Sequence, residues 1–366
     1  MTQSLAAALP PVRARLLGIE AARGIAAMMV VFYHAARHLE KANGSMPWGG
    51  VAQFGHGGVD FFFVLSGFII LFVHRKDVGL PSKLMHYFER RFTRVYPLFW
   101  FALAVWTVLA LFSSSGDLFT PRKLLWQASL LFYSDDIGVA WTLRHEVLFY
   151  LIFAVAILNR RIGIAVFGAW FSAVVIGWTA NFTPGNPALA LIFSAFNLEF
   201  LFGMAAAYAV QTWSISRPRL LLGGGVLVFL GYGLCENLGV VDGYHQSAQI
   251  VYGLSAMLMV VGLASTESVG ILRLPSLMGK LGAASYSIYL FHLPFIGVLY
   301  KILALSGLLA RLPVGLIYLV LVTGGVTGGM LVSRVIEYPL MELIRQGFSR
   351  YRGHIRFLLP TNTSNK

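Results

Sequence analysis

Cysteine is nearly absent from this chain: Cys235 stands alone among 366 residues, which excludes an internal disulfide and any cysteine-based metal site. Charge is scarce as well. Only 12% of residues are charged while 57% are hydrophobic, and the mean hydropathy is +0.73, values that exclude a soluble globular domain. Acids are the rarest charged class, 15 against 28 Lys and Arg, for a formal net charge of +13. In a soluble protein that balance would point to nucleic acid; in an apolar chain the location of the charges has to be read first. Several reactive-site patterns are missing too. HEVLF lacks the second histidine of a zinc motif, and neither a glycine–lysine phosphate loop nor a GxGxxG opening a helix occurs. No metal, ATP or nicotinamide chemistry is therefore expected. The stretch AAALPP near the start has no apolar core followed by a small-residue cleavage site, so no removable signal peptide is expected.

What the chain does have is long apolar runs. A spanning helix needs about 20 mainly apolar residues, and ten runs qualify, near residues 17–36, 55–74, 95–113, 139–158, 162–180, 188–210, 220–235, 248–265, 283–303 and 313–333. The segment LLWQASLLFY (124–133) is too short to span and reads as an interfacial or re-entrant helix. The fold class is all-α, a polytopic membrane protein of about ten transmembrane helices with both termini on one side. Of the 28 Lys and Arg residues, 20 fall on the side of the termini, 6 on the other, and Arg23 and Arg144 inside spans. By the positive-inside rule both termini are cytoplasmic, and the basic balance is first a topology signal, leaving nucleic-acid binding little to explain. Residues 1–14 read as a cytoplasmic tail, 15–345 as the membrane domain, and 346–366 as a basic tail lying on the inner leaflet. In the last span GGVTGG sets Gly324 over Gly328 and Gly325 over Gly329, spacing for close helix contact.

Ionisable residues inside spans are expensive and mark function by default. Arg23 and His34 are eleven residues apart, close to three helical turns, so they share one face roughly 16 Å apart along the axis, Arg23 towards the cytoplasm and His34 in the outer half. Asp60, in the second span, and Glu146, in the fourth, are expected at a depth similar to His34. Tyr150 follows Glu146 by one turn on the same face. On the inner side Arg90, Arg91 and Arg94 cluster beside the third span. Arginine clusters bind phosphates bidentately, whereas an imidazole beside a carboxylate is a general base. The separation suits a phosphorylated donor with a long arm, such as coenzyme A, anchored inside and delivering a thioester towards His34.

These landmarks resemble a known family. EAARGIAAMMVVFYHA, GGVDFFFVLSGFII, RRFTRVYP, WTLRHEVLFY, LGAASYSIYLFHLP and RVIEYPL together are similar to the integral-membrane acyltransferase family 3, in its exopolysaccharide O-acetyltransferase branch, over roughly residues 15 to 345. The resemblance implies a ten-helix enzyme of the bacterial inner membrane. It would move an acyl group, usually acetyl, from cytosolic acetyl-CoA to a hydroxyl of an exopolysaccharide or its polyprenyl-linked precursor, with membrane lipid and polysaccharide assembly proteins as further partners. It also implies His34 as the essential histidine with Arg23 as its companion. Arg90, Arg91 and Arg94 form the RRxxR donor site, and Glu146 is the acid of the WSLxxE-like WTLRHE. Here Thr142 stands where many members have serine, and Arg144 and His145 replace smaller or acidic residues. Asp60 joins His34 and Glu146 as a candidate catalytic group; Trp141, Tyr150 and His292 are candidate substrate contacts. The rival reading is a transporter or flippase of lipid-linked glycans, which also carries intramembrane charge. Such proteins often show matching broken segments in two repeated halves, and neither repeats nor breaks are evident in the sequence.

Overall fold

The structure, a computed structural model, describes residues 16–44, 46–111, 120–131, 138–268 and 274–358. Among these residues every regular element is helical: α1 (Leu17–Asn43), α2 (Gly58–His74), α3 (Leu84–Leu111), α4 (Pro121–Ser129), α5 (Ala140–Leu158), α6 (Arg160–Thr179), α7 (Pro187–Phe193), α8 (Phe196–Thr212), α9 (Pro218–Asn237), α10 (Gln246–Ser268), α11 (Ser276–Leu305), α12 (Val314–Val332) and α13 (Tyr338–Leu358). Ten helical stretches among them are long and apolar enough to cross a membrane, in agreement with the ten runs of the sequence. The protein is an integral membrane protein. The N-terminal tail (1–14), the last residues of the C-terminal tail and residues 112–113 of the third run lie outside the described residues.

Local chemistry explains several helix ends. Asn159 is extended, and its side chain caps α6 by accepting from the amides of Arg161 and Ile162 at 2.9 and 3.2 Å, so α5 and α6 form a hairpin. Thr120 and Pro121 start α4 in the same way. This nine-residue helix rises only roughly 14 Å, too little to span, and it is tied to α3 by Trp100 Nε1 donating to Ala128 O at 2.9 Å and Tyr96 Oη to Ser129 O at 3.0 Å. The start of α1 is covered by the carboxylate of Glu267, both oxygens lying 3.1 Å from the Gly18 amide.

Two spans differ from the expected runs. The run 188–210 is not one helix but α7 and α8, separated at Ser194, which is extended (φ −60°, ψ 135°). The break re-aims α8 so that Asn197 and Glu199 are wholly buried, a polar demand that run length does not report. The last span ends in a π-helical turn, Ser333–Glu337, before α13. Its extra residue turns Glu337 inward, to 3% exposure.

The chain forms two compact units. The first takes in the chain up to Tyr33, Gly50–Arg75 and Ala195–Ala283. Its core joins Phe61, Val64, Leu65 and Phe68 of α2 to Ala206 and Ala207 of α8 and Ala256 and Val260 of α10. α2 and α8 touch backbone to backbone: a Cβ on Gly203 would lie 1.9 Å from Val64 O, and one on Gly67 2.1 Å from Phe200 O. Small residues permit that approach where lipid offers no hydrophobic drive for helices to associate. The second unit takes in His34–Gly49, Lys76–Ser194 and the chain from Ala284. There α12 lies on α11, Gly329 against the backbone of Ile288 and Gly328 against the Phe295 ring, the close contact expected of GGVTGG.

Overpacking a tight helix crossing costs about 1–3 kcal/mol or more. Gly203→Val is therefore expected to lower the detergent melting temperature and the monodisperse yield, whereas Gly231→Val, with open space at its Cα, should leave both unchanged in fluorescence-detected size exclusion.

Candidate active site

The site is built on two parallel helices, α1 and α11. They meet first at Gly24, whose Cβ would fall 2.8 Å from Gly282 N, and at Gly282, whose Cβ would fall 1.9 Å from Glu20 O. Further along both helices the rings of His34 and His292 lie 5.1 Å apart at 37°, and beyond them His38 meets Tyr300 edge to face at 4.8 Å. The glycines of EAARG and LGAAS thus make the close approach in the first unit, and the two imidazoles meet in the second. α1 is unbroken from Leu17 to Asn43, so Arg23 and His34 keep their common face. Both are half-buried.

His292 is fully buried. Its Nδ1 faces two backbone carbonyls, Tyr289 O at 2.8 Å and Ile288 O at 3.2 Å. A carbonyl only accepts, so the proton sits on Nδ1 and the ring's acceptor position is Nε2, which is buried and has no hydrogen-bond partner among the described residues. Pro294, two residues on, removes one intrahelical hydrogen bond beside it. A buried polar atom left open costs about 1–3 kcal/mol, which marks Nε2 as a position awaiting a donor.

α5 supplies the next layer. Thr142 of WTLRHE receives a hydrogen bond from Tyr289 Oη at 2.9 Å while donating to Val139 O, which ties α5 to α11 three residues before His292. One turn below, Glu146 accepts from the Tyr150 hydroxyl. The Arg91 guanidinium lies over the Tyr150 ring at 5.6 Å, with its Nε buried and without a hydrogen-bond partner among the described residues. Tyr87 donates to Tyr150 O at 3.1 Å and locks that turn. The i, i+4 spacing of Glu146 and Tyr150 is thus used as the sequence implies. Trp141 stands edge-on to His145 at 5.9 Å and is 37% exposed.

The three arginines of RRFTRVYP have different surroundings. Arg90 is exposed and Arg91 half-buried. Arg94 donates to Glu337 Oε1 at 3.1 Å and lies over the Tyr286 ring at 4.8 Å. The other Glu337 oxygen accepts from Ser287 Oγ at 2.7 Å and Ser333 Oγ at 2.9 Å. Two motifs from opposite ends of the chain, RRFTR and RVIEYPL, therefore close one buried network. Glu337, an acid that closes an apolar span, is the signal in the sequence that points to this network.

Asp60 belongs to the first unit, where it lies beside Glu199, both almost wholly buried. Among the described residues Asp60 Oδ1 and both Glu199 oxygens have no hydrogen-bond partner. Asp60 is thus set beside a second acid, a proximity that no local spacing reveals.

The family model described as "Acyltransferase domain" matches residues 16–334. The chain is 31% identical over 313 residues to the exopolysaccharide production protein ExoZ of Rhizobium meliloti (strain 1021), covering 81% of this chain and 92% of that one. It is 25% identical over 321 residues to YrhL of Bacillus subtilis (strain 168), a candidate peptidoglycan O-acetyltransferase, covering 76% of this chain and 48% of YrhL, about half its length. No solved structure matches the chain significantly.

Removing one member of the Arg94–Glu337 pair strands a charge, at a cost on the order of 1–3 kcal/mol given the partial exposure of Arg94 and the two serine donors. Arg94→Ala and Glu337→Ala should each destabilise the protein, and the double variant should lose less than the sum, in a thermal-denaturation double-mutant cycle.

Proposed function

The chain belongs to the acyltransferase-domain family, and from that membership we propose that it moves an acetyl group from cytosolic acetyl-CoA to a hydroxyl of an exopolysaccharide or of its polyprenyl-linked precursor, in the bacterial inner membrane. That it is a membrane acyltransferase rests on the family match; the donor and acceptor are the proposal. The observation that carries the chemistry is the ring pair His34–His292, with the open Nε2 of His292 on the fully buried side. The similarity to ExoZ over most of both chains supports a polysaccharide acceptor.

In this mechanism His34 is the general base. It takes the proton of the acceptor hydroxyl as the oxygen attacks the thioester carbonyl; the carbon–sulfur bond then breaks, and the coenzyme A thiolate leaves with that proton. The open Nε2 of His292 accepts a hydrogen bond from the His34 N–H, and so orients the imidazole whose other nitrogen takes the proton. Glu146 is engaged with Tyr150, and His292 is the ring that stands beside His34, so the contacts support His292 in the role that the sequence suggested for a carboxylate. Asp60 stays a candidate as a buried acid beside Glu199. Arg91, aided by exposed Arg90, binds the donor phosphates. Arg23 contributes charge along α1, and Arg94, neutralised by Glu337, holds α3 in position. Trp141 and Tyr150 are proposed to contact substrate.

The test is acyl transfer by the full-length protein in nanodiscs, with radiolabelled acetyl-CoA and polysaccharide stripped of acyl groups by alkali. His34→Ala should lower kcat about 10²–10⁴-fold and leave coenzyme A binding intact. Arg91→Ala should raise the KM for acetyl-CoA about tenfold, the loss of one charge-assisted contact. Transfer undiminished in His34→Ala would remove the histidine from the chemistry, and no transfer by the native protein would favour the flippase reading.

A further inference from the structure

The first unit contains a second polar cluster that the chemistry above does not use. It lies where α9 turns into α10, beside the short 3-10 turn Gln53–Gly57 that leads into α2. At its base Glu236, buried at the end of α9, meets His56 Nε2 at 2.9 Å through one oxygen and accepts from Tyr252 Oη at 2.7 Å through the other. The loop passes directly over this carboxylate, for a Cβ on Gly243 would lie 2.1 Å from Glu236 Cδ. Above the base, the His56 ring stacks on Tyr244 at 4.9 Å and 21°, and Tyr33 meets His56 edge-on at 5.7 Å. The Tyr33 and Tyr244 hydroxyls are 2.6 Å apart, and Gln53 Nε2 donates to Tyr244 Oη at 3.3 Å. Gln53 Oε1 is buried and has no hydrogen-bond partner among the described residues.

An aromatic ring in this setting is rigid, backed by an imidazole on a buried acid, yet Tyr244 is 54% exposed. Its rim consists of hydroxyls and an amide. An aromatic face packs against the C–H face of a pyranose, while hydroxyl and amide groups exchange hydrogen bonds with the ring substituents. An anionic ligand is disfavoured: His56 is already matched by Glu236, and no Lys or Arg occurs between Arg219 and Arg273. A tyrosine that merely marks the membrane interface needs no buried acid–imidazole pair beneath it. The distribution of positive charge puts the α9–α10 loop on the extracytoplasmic side.

We propose that this cluster is a carbohydrate platform, with Tyr244 stacking on a neutral sugar ring of the acceptor, Tyr33 and Gln53 engaging its hydroxyls, and His56 and Glu236 holding Tyr244 in place. It rests on the polysaccharide-acceptor reading above. Tyr244 and Gln53 act in binding only and have no part in bond making.

The probe is an oligosaccharide, cut from the polysaccharide of cells carrying this protein and stripped of acyl groups by alkali, offered to the full-length protein in nanodiscs. Saturation-transfer NMR measures binding, and labelled acetyl-CoA measures transfer. Tyr244→Ala should weaken binding and raise the acceptor KM about tenfold, leaving kcat and the KM for acetyl-CoA unchanged. Tyr244→Phe, which keeps the ring, should retain most of the affinity. Unchanged oligosaccharide binding in Tyr244→Ala overturns the platform, even if that variant is less stable, since a membrane-interface anchor alone would behave so. Native protein that binds the oligosaccharide through Tyr244 but transfers nothing supports the platform and sinks the acyltransfer reading. Native transfer with an acceptor KM indifferent to Tyr244 does the reverse.

Discussion

The meeting of His34 with His292, their rings 5.1 Å apart, is the contact on which the candidate site depends. In lipid there is no water to satisfy a stray imidazole, and a buried polar group without a partner is costly. A histidine facing another histidine across two membrane helices is therefore a commitment of the fold. The backbone fixes one of the His292 nitrogens and leaves the other open.

Around that seam the remaining charges are sorted by what neutralises them. Arg94 and Glu337 satisfy each other, with two serines completing the acid, and so belong to the framework. Arg91 keeps a buried Nε without a partner among the described residues, above Tyr150, whose hydroxyl is held by Glu146. The RRxxR pattern thus splits into an arginine matched by an acid and one left open, and the donor phosphates are proposed for the second. His56 and Glu236 are matched in the same manner, and their pairing supports an exposed aromatic ring.

Much of this was legible in the sequence, for reasons that differ from residue to residue. The ten spans follow from run length, because a helix must cover the hydrocarbon thickness. Glu146 with Tyr150, and Arg23 with His34, follow from helical periodicity alone. The family landmarks named the right segments without saying which touch. The juxtaposition of His34 with His292, of Arg94 with Glu337 and of Asp60 with Glu199 depends on tertiary packing, which one sequence does not encode in any spacing. The break at Ser194 and the π-helical turn before Tyr338 lie within apolar stretches, where hydropathy is blind to backbone geometry. Glu236 and His56 escaped notice because each stands at the edge of a span, where ionisable residues are ordinary.

The central claim is that the paired imidazoles perform acyl transfer on a glycan. The most direct measurement is the acyl content per repeat unit, by mass spectrometry, of polysaccharide from cells producing either the native protein or His34→Ala at equal membrane levels. Polymer still made in full but missing discrete acetyl increments is the result this account predicts. Polymer that vanishes altogether, or that keeps its acetyl groups, would contradict it.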